Sequence, residues 1–175
     1  MLGTEAMVGI ARDRQPDTEI DRTFERFFAE EYERLGRALF LLTGEAAEAE
    51  ELAQEAMVRV LERWDRVAGM ASPTGYLYRT ALNLHRSAMR GLRRSRVGRD
   101  ARRSDPIGAV DDRDELGRAL AALPTEQRAA LILVEWLGLS ATEAAPILGI
   151  EPVSVRVRIM RAKRALRDRV EQEES

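Results

Sequence analysis

The sequence predicts an all-α protein of two small helical units joined by a flexible charged linker, and three observations carry that reading. Apolar residues recur at helical spacing over residues 23–64, 74–92 and 115–170, with no period-2 runs of the kind strands leave. Between them, residues 93–114 (RRSRVGRDARRSDPIGAVDDRD) are almost without apolar side chains and dense in charge, so they bury too little surface to offset their ordering entropy. Glycines and prolines punctuate the helical stretches at Gly44, Pro124, Gly138, Gly149 and Pro152. The expected order is a polar, mobile tail over 1–22, a first bundle over 23–92, the linker over 93–114, a second unit over 115–170 and a short tail over 171–175.

Composition narrows the function. A chain of 175 residues that is 45% hydrophobic is long enough to bury a core. It has no cysteine, which excludes a disulfide framework, thiolate-bound zinc and a thiol nucleophile, and which suits a reducing compartment. No apolar run approaches the roughly 18 to 20 residues a membrane span needs, and the first residues do not form a secretory signal. The expected location is therefore the cytoplasm, with no membrane contact of the chain's own. The single histidine, His85, has no carboxylate beside it in sequence. With no glycine-rich phosphate loop and no cluster of His, Cys or Asp, no catalytic residue, metal or cofactor is expected.

The net charge of −2 hides a segregation. Acids outnumber bases up to Met70, whereas residues 86–103 hold eight arginines against Asp100 alone, and residues 156–169 hold seven basic side chains against Asp168. Two basic segments on an otherwise acidic chain predict two places where phosphate is met and another surface that meets something else.

In the second unit, Gly138 ends one helix and Ser140 stands three residues before Glu143, the spacing of a reciprocal capping box. The helix that starts there is short, because Gly149 supplies a left-handed stop and Pro152 suits the first turn of the next. A short helix, a tight turn and a longer helix form a helix-turn-helix. On the last helix Val155, Ile159, Ala162 and Leu166 share the inward face, and Val153, Val157, Met160, Arg161 and Arg164 face out with Arg156 and Arg158 on the flanks. Arginine pairs with phosphate or guanine, and valine suits a thymine methyl. A solvated basic helix is the plainer reading of the same pattern.

In the first unit, the helix after Gly44 turns Ala53, Ala56, Met57, Val60 and Trp64 inward and Glu51, Gln54, Glu55, Val58 and Glu62 outward, an acidic face that by itself reads as solvated surface. On the helix from about residue 74 to 90, Leu77, Ala81, Leu84 and Ala88 form an apolar stripe opposite a row of Arg79, Asn83, Arg86 and Arg90. An amide set among cations can bond a base edge while the arginines hold phosphates. The preceding loop, residues 67–75 (VAGMASPTG), lets a backbone approach an unstacked base, with Tyr76 and Tyr78 as stacking candidates and at least one of them expected in the core.

The runs EAEELAQEAMVRVLERW (48–64), PTGYLYRTALNLHRSAMR (73–90) and LPTEQRAALILVEWLGLSATEAAPILGIEPVSVRVRIMRAKRAL (123–166), in this order, resemble a group IV, extracytoplasmic-function RNA polymerase sigma factor of the sigma-70 family, sigma-E type, over about residues 24–170. The resemblance implies a sigma-2 domain whose face of Glu51, Gln54, Glu55, Val58 and Glu62 docks on the clamp helices of the β′ subunit. It implies capture of a flipped −10 base by the 67–75 loop and the helix bearing Tyr76, Arg79, Asn83, Arg86 and Arg90. It further implies a sigma-4 domain that packs on the β flap and reads the −35 element with Val153, Ser154, Arg156, Val157, Arg158, Arg161 and Arg164, the linker threading toward the RNA exit path. Ser87, Pro146 and Val157 depart from the family pattern, and Pro146 is expected to kink its short helix. With no domain after Ser175, the resemblance implies a minimal member of the kind usually held by an anti-sigma factor. The alternative is a stand-alone helix-turn-helix regulator, which needs neither the Asn83 row nor the acidic face.

Overall fold

The computed structural model describes the backbone of residues 17–96 and 112–173, with side chains over 23–92 and 116–171. The expected tail before residue 17 and linker positions 97–111 lie outside the described residues. The described residues hold eight helices and no strand: α1 (Asp17–Thr43), α2 (Ala46–Leu61), a single turn α3 (Trp64–Val67), α4 (Pro73–Arg96), α5 (Asp112–Ala121), α6 (Thr125–Leu131), α7 (Ala141–Leu148) and α8 (Pro152–Glu173). Helix therefore extends at residues 17–22 into the stretch read as tail, and at both ends of the stretch read as linker.

Local chemistry accounts for the breaks. Gly44, Gly138 and Gly149 have φ of 79°, 75° and 71°, the left-handed conformation that terminates a helix at little cost only without a Cβ. Ser140 accepts from the Glu143 N–H at 3.2 Å, and Glu143 Oε2 accepts from the Ser140 N–H at 2.8 Å, completing the capping box at the start of α7. That helix runs on through Pro146 to Leu148. Thr142, whose carbonyl loses a helical donor to the proline, is an exposed residue. At the start of α4 the Ser72 hydroxyl accepts from the Gly75 N–H at 2.9 Å. After α6 the chain widens into a π-helical turn, Ile132–Trp136, closed by the Leu137 N–H donating to the Ile132 oxygen at 3.0 Å.

In the N-terminal half α1, α2 and α4 pack around Leu35, Leu39, Ala53, Ala56, Met57, Val60, Leu77 and Ala81. Trp64 lies against Phe24 and Phe27, with ring centroids 5.3 and 4.9 Å away, and its indole N–H donates to Thr23 Oγ1 at 3.0 Å. In the C-terminal half α8 buries Val155 and Ala162 fully, with Ile159 and Leu166 partly covered beside them, and Leu120 and Leu123 close over Leu131 and Ala162.

The halves are not separate beads. One continuous apolar cluster contains Leu39, Leu42, Tyr78 and Leu82 from the first and Ala129, Ile132, Leu133 and Ile147 from the second. α4 packs on α7 along this seam. Three arginines cross it, each donating to a carbonyl at or beside the C-terminal end of a helical segment in the opposite half. Arg34 reaches the Leu137 oxygen at 2.9 Å, Arg86 the Leu148 oxygen at 3.3 Å and Arg128 the Leu42 oxygen at 2.5 Å. A cation there satisfies a carbonyl that has no helical donor and complements the negative end of the helix dipole.

Candidate nucleic-acid interface

α2 turns Glu51, Gln54, Glu55, Val58 and Glu62 to solvent, as its periodicity predicts. Five of the seven side chains lining a shallow groove between α2 and α4 come from this face or its edge: Glu48, Glu51, Gln54, Glu55 and Val58. The groove floor is Leu52, with Ala88 contributed by α4. Glu55 also pairs with Arg59 along the helix at 2.8 Å.

α4 carries three faces rather than two. Leu77, Ala81 and His85 are buried within the first half, and His85 Nδ1 lies 3.3 Å from Glu48 Oε1, a neighbour contributed by α2 rather than by local sequence. Ala88, expected on the same stripe, is exposed, because the helix leaves the bundle at that end and His85 takes the last covered position. Arg79, Asn83 and Arg90 face outward as a row. The third face, with Tyr78 and Leu82, lies in the seam. Tyr78 is the core tyrosine; Tyr76 is half-exposed and its hydroxyl accepts from Arg63 at 3.2 Å. Burial pushes the Tyr78 hydroxyl well above its ordinary range, with the Glu31 carboxylate adding to the effect.

Gly75 shows why the start of α4 takes a small residue. A Cβ there would stand 2.7 Å from Ser72 Oγ, the atom that caps α4, and 3.9 Å from Ile147 Cγ1 of α7. The glycine read as part of a base-approach loop is thus also a helix-start and packing residue.

On α8 the outward valines and methionine are open, Val153 at 58%, Val157 at 37% and Met160 at 62% exposure, with Arg156, Arg161 and Arg164 exposed around them and Ser154 half-covered. Arg164 approaches Asp168 at 3.9 Å, and Lys163 pairs with Glu135 at 2.8 Å.

Arg86 and Arg158 leave their expected rows. Arg86 donates through Nε and Nη2 to the two carboxylate oxygens of Glu126 at 3.2 and 3.1 Å, and Arg158 Nη1 donates to Glu126 Oε2 at 2.7 Å. One carboxylate in the first turn of α6 therefore joins the basic row of α4 to that of α8. Burial alone would raise the Glu126 carboxyl, but the hydrogen bonds and charge of Arg86, together with those of Arg158, outweigh it and hold it below its ordinary range. Glu126, Arg34 and Arg128 are the residues sequence reasoning missed. Glu126 reads locally as an ordinary helix-start acid, and its partners lie 40 and 32 residues away.

Comparison with known proteins identifies the family. Residues 27–95 match sigma-70 region 2 and residues 113–166 match sigma-70 region 4, so both halves fall in the sigma-70 class. The RNA polymerase sigma-E factor of Streptomyces avermitilis is 29% identical over 152 residues, covering 85% of each chain. The ECF RNA polymerase sigma factor SigL of Mycobacterium tuberculosis is 32% identical over 142 residues, covering 76% of this chain and 80% of that one. In fold, the chain is similar to the sigma factor RpoE of Bartonella quintana, solved in complex with the anti-sigma factor NepR, with a TM-score of 0.73 at 23% identity over 86% of this chain and 98% of that one. The chain belongs to the extracytoplasmic-function RNA polymerase sigma factors of the sigma-70 family.

Proposed function

We propose that this chain binds core RNA polymerase and directs initiation by reading a promoter at two points, and that it contributes no bond-making chemistry. The observation that carries the reading is the presence, on one chain, of two separate helices with outward basic rows, α4 and α8, beside an acidic exposed face on α2. In this reading Glu51, Gln54, Glu55, Val58 and Glu62 dock on the clamp helices of β′. The loop before α4 and the row of Tyr76, Arg79, Asn83, Arg86 and Arg90 take the −10 element, where a flipped base meets the Asn83 amide. Val153, Ser154, Arg156, Val157, Arg158, Arg161 and Arg164 enter the major groove at −35, with the C-terminal half seated on the β flap.

Membership of the sigma factors supports a cytoplasmic place beside the polymerase, and among the described residues no helix is long and apolar enough to cross a membrane. The acidic groove beside α2 also supplies a surface that suits an anti-sigma factor. Run-off transcription with purified core polymerase on a promoter library tests the proposal: promoter-specific initiation appears only when this protein is added. If core polymerase gains no promoter selectivity, the reading fails.

A further inference from the structure

We propose that the Glu126 carboxylate substitutes for promoter phosphate and holds the chain shut in a state that withholds Arg86 and Arg158 from DNA. The proposal rests on the reading above, in which those two arginines are phosphate ligands. Glu126 offers Arg86 a two-oxygen fork and gives Arg158 a third hydrogen bond, the geometry by which guanidinium recognises carboxylate and phosphate alike. A single carboxylate at the start of α6 thereby neutralises one cation from each DNA-reading helix and brings α4 and α8 together.

Two features of the seam make this closure reversible. The cations are partly solvent-accessible, so a polyanion can reach and compete for them. The seam also carries an opposing cost: Tyr78 Oη and Arg128 Nε are buried with no hydrogen-bond partner among the described residues. Opening lets water satisfy both. Removing the Glu126 charge leaves two largely covered guanidiniums with no carboxylate between them, which adds repulsion to that cost.

The chain has no cysteine, so the full-length protein accepts a clean pair of labels. Glu25→Cys on α1 and Arg167→Cys on α8, both exposed, report the distance between halves by double electron–electron resonance. The expected result is one narrow distance for the parent protein and a broader, longer distribution for Glu126→Gln. Glu126→Asp keeps a charge at the helix start but is one methylene short of spanning both arginines, and it falls between the two. Circular dichroism checks that each variant keeps its helices.

On a 30-base-pair duplex of random sequence, Glu126→Gln binds about tenfold more tightly at low salt. The slope of log affinity against log salt steepens by about two, one for each released arginine. Equal distance distributions in the parent and Glu126→Gln overturn the proposal, as does opening with no gain in duplex affinity. Run-off transcription separates this from the broader reading. No initiation with either protein overturns the promoter function and leaves the distances to judge the closure, while normal initiation with unchanged distances overturns the closure alone.

Discussion

Arg128 Nη1 donates to the carbonyl oxygen of Leu42 at 2.5 Å, tying the start of the C-terminal half to the end of α1 across 86 residues of chain. The same guanidinium closes its own half by donating through Nη2 to the Ala121 and Leu123 oxygens at 2.9 and 3.0 Å. Arg128→Ala removes three carbonyl partners at once, at a cost of about 2 kcal/mol. The expected fall in melting temperature is roughly 4–8 °C. A fall of less than a degree in a thermal melt removes Arg128 from the seam's supports.

Asn83 and Arg161 stand on different helices and are expected to fail differently. Asn83→Ala lowers strand opening at −10, read by permanganate reactivity, more than it lowers binding to closed duplex promoter. Arg161→Ala instead weakens recruitment to a −35 element by about 1–3 kcal/mol in a competition assay with holoenzyme. Equal loss of both activities in both variants contradicts the division of labour between α4 and α8.

Two carboxylates are held below their ordinary range, so both bear on acid stability. Glu143 is depressed by hydrogen bonds from the Ser140 hydroxyl and backbone, while in Glu126 the arginines outweigh an opposing burial effect. Because the folded values lie below the unfolded ones, both contributions are complete above the usual carboxylate value of 4.5 and are lost as the pH falls through the depressed values. For Glu126 the facing groups are Arg86 from α4 and Arg158 from α8. Melting temperature measured against pH is therefore expected to drop on the acid side, and Glu126→Gln with Ser140→Ala flattens that drop. An unchanged acid limb in the double variant rules out these two groups as its cause.

Gly75→Ala sets two effects of similar size against each other. The new Cβ displaces Ser72 Oγ and removes the cap of α4, worth about 1 kcal/mol, while replacing glycine inside a helix returns about 1 kcal/mol. Overall stability should stay within about 0.5 kcal/mol, whereas hydrogen exchange at the first amides of α4 becomes several-fold faster. Protection equal to the parent's shows that the Ser72 cap does not hold this end.

What was legible in the sequence is local. The Ser140–Glu143 box, the Gly149 stop and the Pro152 start lie within thirteen residues, and each acts on its own backbone, so pattern alone places α7 and the head of α8. The inward stripe of α8 follows from helical period in the same way. The seam was not legible, because periodicity tells which residues share a face and not what covers that face. Tyr78 and Leu82 are core to the second half as well as the first, and Arg86 left its row because Glu126 is close in space and 40 residues away in sequence. The two helical units read from the sequence are both present, and the larger apolar cluster runs from one into the other.

The π-helical turn at Ile132–Trp136 sets how α7 and α8 are phased against α1. Its bond spans five residues where an α-helix spans four, so it holds one residue more than the same stretch of α-helix. Each residue of an α-helix turns the chain by about 100°. Removing one residue here would swing the Leu137 carbonyl away from Arg34 and rotate everything beyond it, α7 and α8 included, relative to α1. The angle at which α8 is presented is in this sense encoded upstream of the α7–α8 pair, in the length of a single turn.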